Sequence, residues 1–144
     1  MAESQENQKT EDGKVEKEAP KFDWVTARSS CSVPKVFHTL ELQVEEDVKA
    51  RNALRLPNAP YEFSFAPNGD DFVVTLVSKD VRMSVTFRRA GHAILILDDK
   101  GNTMFEVTLT FSADGYCKLH VDQEEREFWQ VRRMALEELM FRGY

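Results

Sequence analysis

Hydrophobic and polar residues alternate along several short segments in the second half of the chain. In residues 81–88, apolar and polar side chains take turns without interruption: Val81, Met83, Val85 and Phe87 against Arg82, Ser84, Thr86 and Arg88. A period of two places one set on each face of a β-strand. The pattern predicts six strands, namely Tyr61–Ala66, Asp71–Ser78, Val81–Arg88, Ala93–Asp98, Thr103–Phe111 and Tyr116–Val121.

The connections between these segments are short and polar. Gly69, Gly101 and Gly115 each stand beside Asn, Asp or Lys, as in tight hairpin turns. No connection leaves room for the crossover helix that parallel strands require. We therefore predict an antiparallel meander in which neighbouring strands pair in chain order. Residues 72–77 and 94–97 are apolar at almost every position, which predicts that both faces of those strands are covered.

A helix is predicted before the sheet. Ser32 is a good N-cap and Pro34 is tolerated in a first turn. An apolar stripe follows at helical spacing, made of Val36, Phe37, Leu40, Val44, Val48 and Leu54. Residues 39–44 also alternate, so a strand there followed by a shorter helix over 45–54 stays open; the longer helix is favoured because Val36 and Phe37 extend its stripe.

A second helix is predicted after the sheet. Asp122 and Glu125 have the spacing of a capping box, and an apolar stripe runs from Phe128 to Met140. We expect this stripe to cover the sheet, so that Leu136 and Leu139 form one core with the inward-facing residues Phe105, Val107 and Leu109. The sequence predicts an α+β fold, a six-stranded antiparallel meander packed against two helices, one on each side of it in the chain.

The first 20 residues have a different composition. They contain no aromatic residue and one branched aliphatic residue, Val15. Such a segment buries too little apolar surface to offset its ordering entropy. We predict a disordered tail over 1–20 and a single α+β domain over 21–144, with Phe22 and Trp24, beside Val25, holding the start of the domain in place.

The charge balance narrows the classes of partner. The net charge is −6 and the pI is about 5.1. An acidic chain is poorly suited to neutralising nucleic-acid phosphates or binding an anionic membrane. No apolar run approaches the length of about 18 residues that spans a bilayer. The N-terminus lacks the basic and apolar regions of a secretory signal, which predicts a cytoplasmic protein in which Cys31 and Cys117 are reduced thiols, Cys117 in the core.

Few residues suggest chemistry. His38, His92 and His120 are isolated from one another in the predicted elements, and no cysteine or histidine spacing predicts a metal site. There is no catalytic signature and no phosphate-binding loop, so neither a cofactor nor an enzymatic activity is predicted.

The best candidate site lies on the last predicted helix. Arg126, Trp129 and Arg133 are spaced by three and four residues, so they share one face of a helix. Arginines beside an aromatic ring can bind an anion or a partner's carboxylates. They can equally form ion pairs with Glu125, Glu137 and Glu138 on the same helix.

Three classes of function remain, in descending order of preference. The first is a non-enzymatic module that binds a protein through a sheet edge, the N-terminal arm, or the surface around Arg126, Trp129 and Arg133. The second is a carrier of a small apolar ligand between sheet and helices, if the phenylalanine-rich inner face is hollow rather than filled. The third is an enzyme. A small anionic ligand is a further candidate partner, and the sequence leaves the oligomeric state open.

Overall fold

Three helices and seven strands are found within residues 21–142. The computed structural model describes residues 21–142, so the tail predicted over 1–20 lies outside the described residues. Two helices come first, α1 (Trp24–Ser30) and α2 (Val33–Ala53). The strands follow as β1 (Tyr61–Asn68), β2 (Asp71–Ser78), β3 (Arg82–Ala90), β4 (Ala93–Leu97), β5 (Thr103–Phe111), β6 (Cys117–Val121) and β7 (Glu124–Arg126). Helix α3 (Phe128–Phe141) ends the described chain.

The sheet is an antiparallel meander in the order β1-β2-β3-β4-β5-β6-β7. All six predicted strands are present, with boundaries shifted by two residues or fewer, and each pairs with its neighbours in the chain as predicted. The pairing register of β2 with β3 sets Phe72 opposite Phe87, and that of β3 with β4 sets Phe87 opposite Ile96. The apolar residues of successive strands therefore share one face of the sheet.

The seventh strand was predicted as the start of the last helix, and that prediction is wrong. Asp122 and Gln123 both have positive φ, 52° and 68°, and Val121 pairs with Glu124 across them. A two-residue turn of this kind joins the strands of a tight hairpin. Asp122 and Glu125 therefore belong to a β-hairpin. Helix α3 begins six residues later, where the Gln130 side chain accepts a hydrogen bond of 2.8 Å from the Glu127 backbone N–H.

Helix α2 is the longer of the two alternatives, so residues 39–44 are helical. The Ser32 hydroxyl accepts a hydrogen bond from the Lys35 N–H, as expected of the N-cap. Val36, Phe37, Leu40, Val44 and Val48 are buried in the core. Leu54 is 69% exposed, so the stripe ends before it.

Helix α1 is a third, unpredicted helix, and the expected packing of its aromatic residues is largely absent. Trp24 and Val25 are exposed. Phe22 is also mostly exposed, but its ring lies so close to Gly115 that a Cβ added there would meet it at 2.8 Å. Gly115 has φ +88°, a conformation that suits glycine.

The two cysteines form a disulfide between Cys31 and Cys117, so the prediction of reduced thiols is wrong. Cys31 lies between α1 and α2, and Cys117 is the first residue of β6. The bond ties the N-terminal helices to the far end of the sheet across 86 residues of sequence. Cys117 is partly buried against the core, while Cys31 is buried.

Helices α2 and α3 cover one face of the sheet, giving two layers around one core. Phe72 lies at its centre and is fully buried. Its ring stacks on Phe87 at 4.6 Å and contacts Phe65 at 5.6 Å and Phe37 of α2 at 5.1 Å, each distance between ring centroids. Aromatic rings thus fill the inner face of the sheet.

Coverage of both faces, predicted for two strands, holds for only one of them. In β4, Ala93, Ile94, Ile96 and Leu97 are buried and Leu95, on the face opposite Ile94 and Ile96, is partly buried. In β2, Phe72, Val74 and Leu76 are buried but Val77 is 40% exposed on the other face. None of the helices within residues 21–142 has the length and apolar character needed to cross a membrane.

The prediction that residues of β5 and α3 share one core is confirmed. Val107, Leu136 and Leu139 are buried in that core, and Phe105 and Leu109 are partly buried and pack against it. We expect Leu109→Ala to lower the free energy of unfolding by about 2 kcal/mol, the lower end for a leucine truncation because the side chain is only partly buried. Urea unfolding checks this, with the neighbouring exposed Thr108→Ala as control. A cost below about 0.5 kcal/mol would be that of a surface substitution and would contradict the register.

Candidate functional site

Trp129 lies in the first turn of α3 and is 51% exposed. Its neighbours Phe128 and Val131 turn toward the core, Phe128 partly and Val131 fully buried. The helical period therefore places Trp129 at the edge of the apolar face of α3, where that face meets solvent. A half-exposed indole is a large apolar surface with one polar N–H, which suits it to contact a partner.

The structure brings the three predicted site residues together, although Arg126 is not on the helix. Arg126 is the last residue of β7. It lines one shallow depression of about 310 Å³ with Trp129, Gln130, Arg133, Met134 and Glu137. We call these six residues the Trp129 surface. The prediction that Arg126 shares a helical face with Trp129 is wrong, because the β6–β7 hairpin replaces the first turns of the predicted helix.

Both arginines of the Trp129 surface are held by carboxylates in solvent. Arg126 Nη2 donates to Glu124 Oε1 at 2.7 Å, and Arg133 Nε donates to Glu137 Oε1 at 3.0 Å. The Arg133–Glu137 pair has the i,i+4 spacing of a helix surface pair. Exposed pairs of this kind contribute about 0–1 kcal/mol to stability. A partner's carboxylate would therefore replace either glutamate at little cost in stability, and would find the arginine side chain already oriented.

A second depression, the α2–α3 groove, opens on the other side of Trp129 and has a volume of about 400 Å³. Its apolar wall consists of Ala50, Leu54, Trp129, Leu136, Met140 and Phe141. Its charged residues are Asp47, Arg51, Arg132, Arg133 and Glu137.

Arg132 fixes the spacing of α2 and α3. Its Nε donates to Asp47 Oδ2 at 2.6 Å and its Nη1 donates to Gln43 Oε1 at 2.8 Å. Both contacts are partly buried, and they bridge positions 85 and 89 residues apart in sequence. Two nitrogens of the planar guanidinium donate to two different acceptors, so a lysine, with its single ammonium group, would not reproduce both contacts.

Arg51 is the buried charge of the α2–α3 groove, with 5% of its surface exposed. Its Nε donates to the Met140 carbonyl at 2.8 Å and its Nη2 donates to the Tyr61 hydroxyl at 3.2 Å. Sequence reasoning did not single it out. A signal was present, since Arg51 follows Val44 and Val48 by seven and three residues and so continues the buried stripe of α2.

A third depression of about 460 Å³ lies where β6 and β7 meet α3, and Trp129 lines it as well. Lys118 lies there between Glu125 at 3.2 Å and Asp114 at 3.3 Å. Hydrogen bonds from Lys118 to Glu125 and then to Asp114 raise the pKa of Lys118 above its ordinary value. Lys118 is therefore a fixed positive charge here rather than a proton donor near neutral pH.

The sheet edge is largely blocked where it passes α2. The Asn52 side chain donates to the Phe63 carbonyl at 2.8 Å and accepts from the Phe63 N–H at 3.0 Å. Arg55 Nη1 donates to the Tyr61 carbonyl at 2.9 Å. Pro67 lacks an N–H further along the strand. These contacts occupy backbone groups with which an added strand would pair, and the opposite edge, β7, is only three residues long.

The groups that could do acid–base or metal chemistry are dispersed. Within residues 21–142, no three His, Cys, Asp or Glu side chains are grouped so as to hold a metal ion. His120 Nε2 is buried without a hydrogen-bond partner among the described residues, and His38 is an exposed residue near Glu41 at 3.6 Å. The arrangement around Trp129 is suited to binding, through an aromatic ring with oriented cations.

The comparisons with known proteins add no identification. No protein-family model matches the chain, and the searches of curated proteins and of solved structures give no match either.

Proposed function

We propose that this protein is a non-enzymatic interaction module that binds a segment of a partner protein at the Trp129 surface. The observation that carries the proposal is the position of Trp129, half exposed and shared by three adjoining depressions. Tryptophan and arginine dominate the binding energy of many interfaces, especially where a pocket receives the partner's side chain.

The arginines support a partner with acidic residues. Arg126 and Arg133 flank Trp129, and within residues 21–142 their ion pairs are with the solvent-exposed Glu124 and Glu137, so exchange for a partner's carboxylate costs little. An arginine fork holds a carboxylate in a defined orientation. A partner segment with an apolar residue next to acidic ones matches both features of this surface.

The other two surfaces named for an interaction module have less support. The β1 edge has backbone groups already bonded by Asn52 and Arg55. Around α1, Phe22, Trp24 and Val25 are exposed, but residues 21–23 precede the helix without regular structure of their own. A binding surface needs a rigid support, which α3 provides and this arm does not.

The carrier alternative receives no support from the core. A ligand between sheet and helices would have to displace Phe72 and Phe87, whose rings stack on each other and are fully buried. An enzyme is favoured less still, because the charged groups around Trp129 pair with one another and include no nucleophile beside a base among the described residues.

The disulfide indicates the redox state of the compartment in which the protein resides. A protein disulfide persists in oxidising surroundings and is rare in the cytosol. The Cys31–Cys117 bond therefore favours an oxidising compartment over the cytoplasm predicted from the N-terminus.

The test is a peptide selection followed by affinity measurement. Peptides are selected from a displayed library on the folded protein, and their Kd values are measured by calorimetry. We expect Arg126→Ala with Arg133→Ala to weaken binding of the selected acidic peptides by at least about tenfold, the effect of losing a charge-assisted contact. The free energy of unfolding should change by no more than about 1 kcal/mol, because both ion pairs are exposed.

The matched control removes two positive charges elsewhere. Lys79 and Arg82 are exposed at the β2–β3 connection, so Lys79→Ala with Arg82→Ala makes the same change in net charge. That variant should bind as the unaltered protein does. The proposal fails if both double variants lose affinity equally, if neither does, or if the selection yields no binding peptide.

A further inference from the structure

Arg51 is a buried cation held by neutral groups. Its guanidinium carbon lies 5.4, 5.1 and 5.0 Å from the ring centroids of Tyr61, Phe63 and Phe141. Its two described hydrogen bonds go to a carbonyl and a hydroxyl. Aromatic faces and neutral acceptors stabilise a desolvated cation, but they carry no negative charge.

A counter-charge for Arg51 is missing within residues 21–142. The other two arginines of the α2–α3 groove each have one, Arg132 in Asp47 and Arg133 in Glu137. No carboxylate of a described residue forms an ion pair with Arg51. Three arginines against two carboxylates leave this groove with one net positive charge in a chain whose net charge is −6. Buried charges are ordinarily paired, because an unpaired one is costly to desolvate.

The groove has the size and lining of a small-molecule site. Its volume of about 400 Å³ lies within the range of about 300–1,000 Å³ that is usual for ligand pockets. Apolar side chains form its walls, and Trp129 and Phe141 at its rim are half exposed. Its five charged residues are three arginines, Arg51, Arg132 and Arg133, and two carboxylates, Asp47 and Glu137.

We propose that the α2–α3 groove binds a small molecule with an apolar chain and a single carboxylate. The apolar chain lies between Trp129 and Met140, and the carboxylate accepts a hydrogen bond from Arg51 Nη1. Among the described residues, Nη1 has no hydrogen-bond partner, whereas Nε and Nη2 each have one. A monoanion matches the single net positive charge. A dianion such as a phosphate monoester is disfavoured, because Asp47 and Glu137 line the same groove.

This site is distinct from the one in the proposed function. It takes a small molecule rather than a protein segment, and Arg51 is not part of the Trp129 surface. It also differs from a cavity between sheet and helices, since it lies between α2 and α3 outside the filled core. The two sites share Trp129, Arg133 and Glu137, but Arg126 belongs only to the first.

The experiment uses three probes with the same ten-carbon chain and different head groups. Decanoate and decyltrimethylammonium are titrated into the protein below their micelle concentrations, and decanol below its solubility limit. Calorimetry gives the affinity and NMR locates the perturbed residues. We expect decanoate to bind and to shift the Trp129 indole N–H resonance, and the other two to bind at least about tenfold more weakly, because only the carboxylate pairs with Arg51.

The variant is chosen to fill the groove without disturbing the core. Ala50 lines the groove and is exposed on α2, so Ala50→Trp should block it and weaken decanoate binding at least about tenfold while leaving the fold intact. Lys49→Trp puts the same side chain at the next exposed position of α2, outside the groove lining, and should leave decanoate binding unchanged. Replacing Arg51 itself is less informative, because a buried arginine can be required for folding.

Three results overturn the proposal. Equal affinity for decanoate and decanol would show that the apolar wall binds any chain and that Arg51 does not recognise the carboxylate. Equal decanoate affinity in Ala50→Trp and the unaltered protein, or no decanoate binding at all, would show that the groove is not the site. The proposal is supported if decanoate binding is lost in Ala50→Trp but kept in Lys49→Trp, and if decanol and decyltrimethylammonium bind the unaltered protein weakly.

Discussion

Phe72→Ala should lower the free energy of unfolding by about 3–5 kcal/mol, the range for truncating a buried phenylalanine. Phe72 is fully buried, and its ring contacts Phe87, Phe65 and Phe37. Those three residues come from two strands and α2, so the substitution opens a cavity where sheet and helix layers meet. Close-packed neighbours relax only partly into such a cavity, and the lost contacts are not replaced.

Urea unfolding of the two proteins measures this effect, and Val77→Ala provides the control. Val77 lies on the same strand but its side chain is 40% exposed on the other face. Its truncation should cost under about 1 kcal/mol, since less apolar surface is lost from the interior. Similar costs for Phe72→Ala and Val77→Ala would contradict the placement of the core.

Removing the disulfide should have an effect of similar size. Cys31→Ala with Cys117→Ala eliminates a cross-link between residues 86 apart in sequence. The cross-link restricts the unfolded chain, and its loss should lower the free energy of unfolding by about 2–5 kcal/mol. Alanine is preferred to serine because Cys31 is buried and a hydroxyl there would need a partner.

Thermal unfolding with and without a reducing agent is the measurement. The reduced unaltered protein should unfold at about the temperature of the double variant, and the oxidised protein at a clearly higher one. An unchanged melting temperature on reduction would mean that the bond adds no stability. Because α1 has only a few contacts with β6 besides this bond, hydrogen exchange in residues 24–30 should rise more than in α3 when the disulfide is removed.

The meander was predictable because its information is local. Alternation in residues 81–88 and 103–111 reports burial on one face, and polar turns with glycine mark where each strand ends. The helix stripe over 36–48 carries the same kind of information with another period. Each signal depends on residues within a few positions of one another, so the element it predicts can be identified without knowledge of the tertiary fold.

The errors arose where two local patterns competed or where a distant contact decided. Asp122 and Glu125 fit a capping box, but Asp122 and Gln123 adopt positive φ and extend the sheet by one strand instead. Pairing of β7 with β6 gives hydrogen bonds that the isolated segment lacks. The same hairpin moved Arg126 from a helix to a strand, yet it remained beside Trp129 and Arg133.

The amino-acid sequence by itself determined the fold class, the strand order, the long helix α2, and the candidacy of Arg126, Trp129 and Arg133. Periodicity and turn chemistry suffice for these, since they record which side of each element is buried. Only the tertiary structure decided the Cys31–Cys117 bond, the Asn52 contact with the β1 edge, and the burial of Arg51. Each of these depends on groups that are distant in sequence or on elements whose approach no local pattern encodes. The α2–α3 groove could not be predicted for the same reason, because its walls come from two helices that the whole sheet separates in sequence.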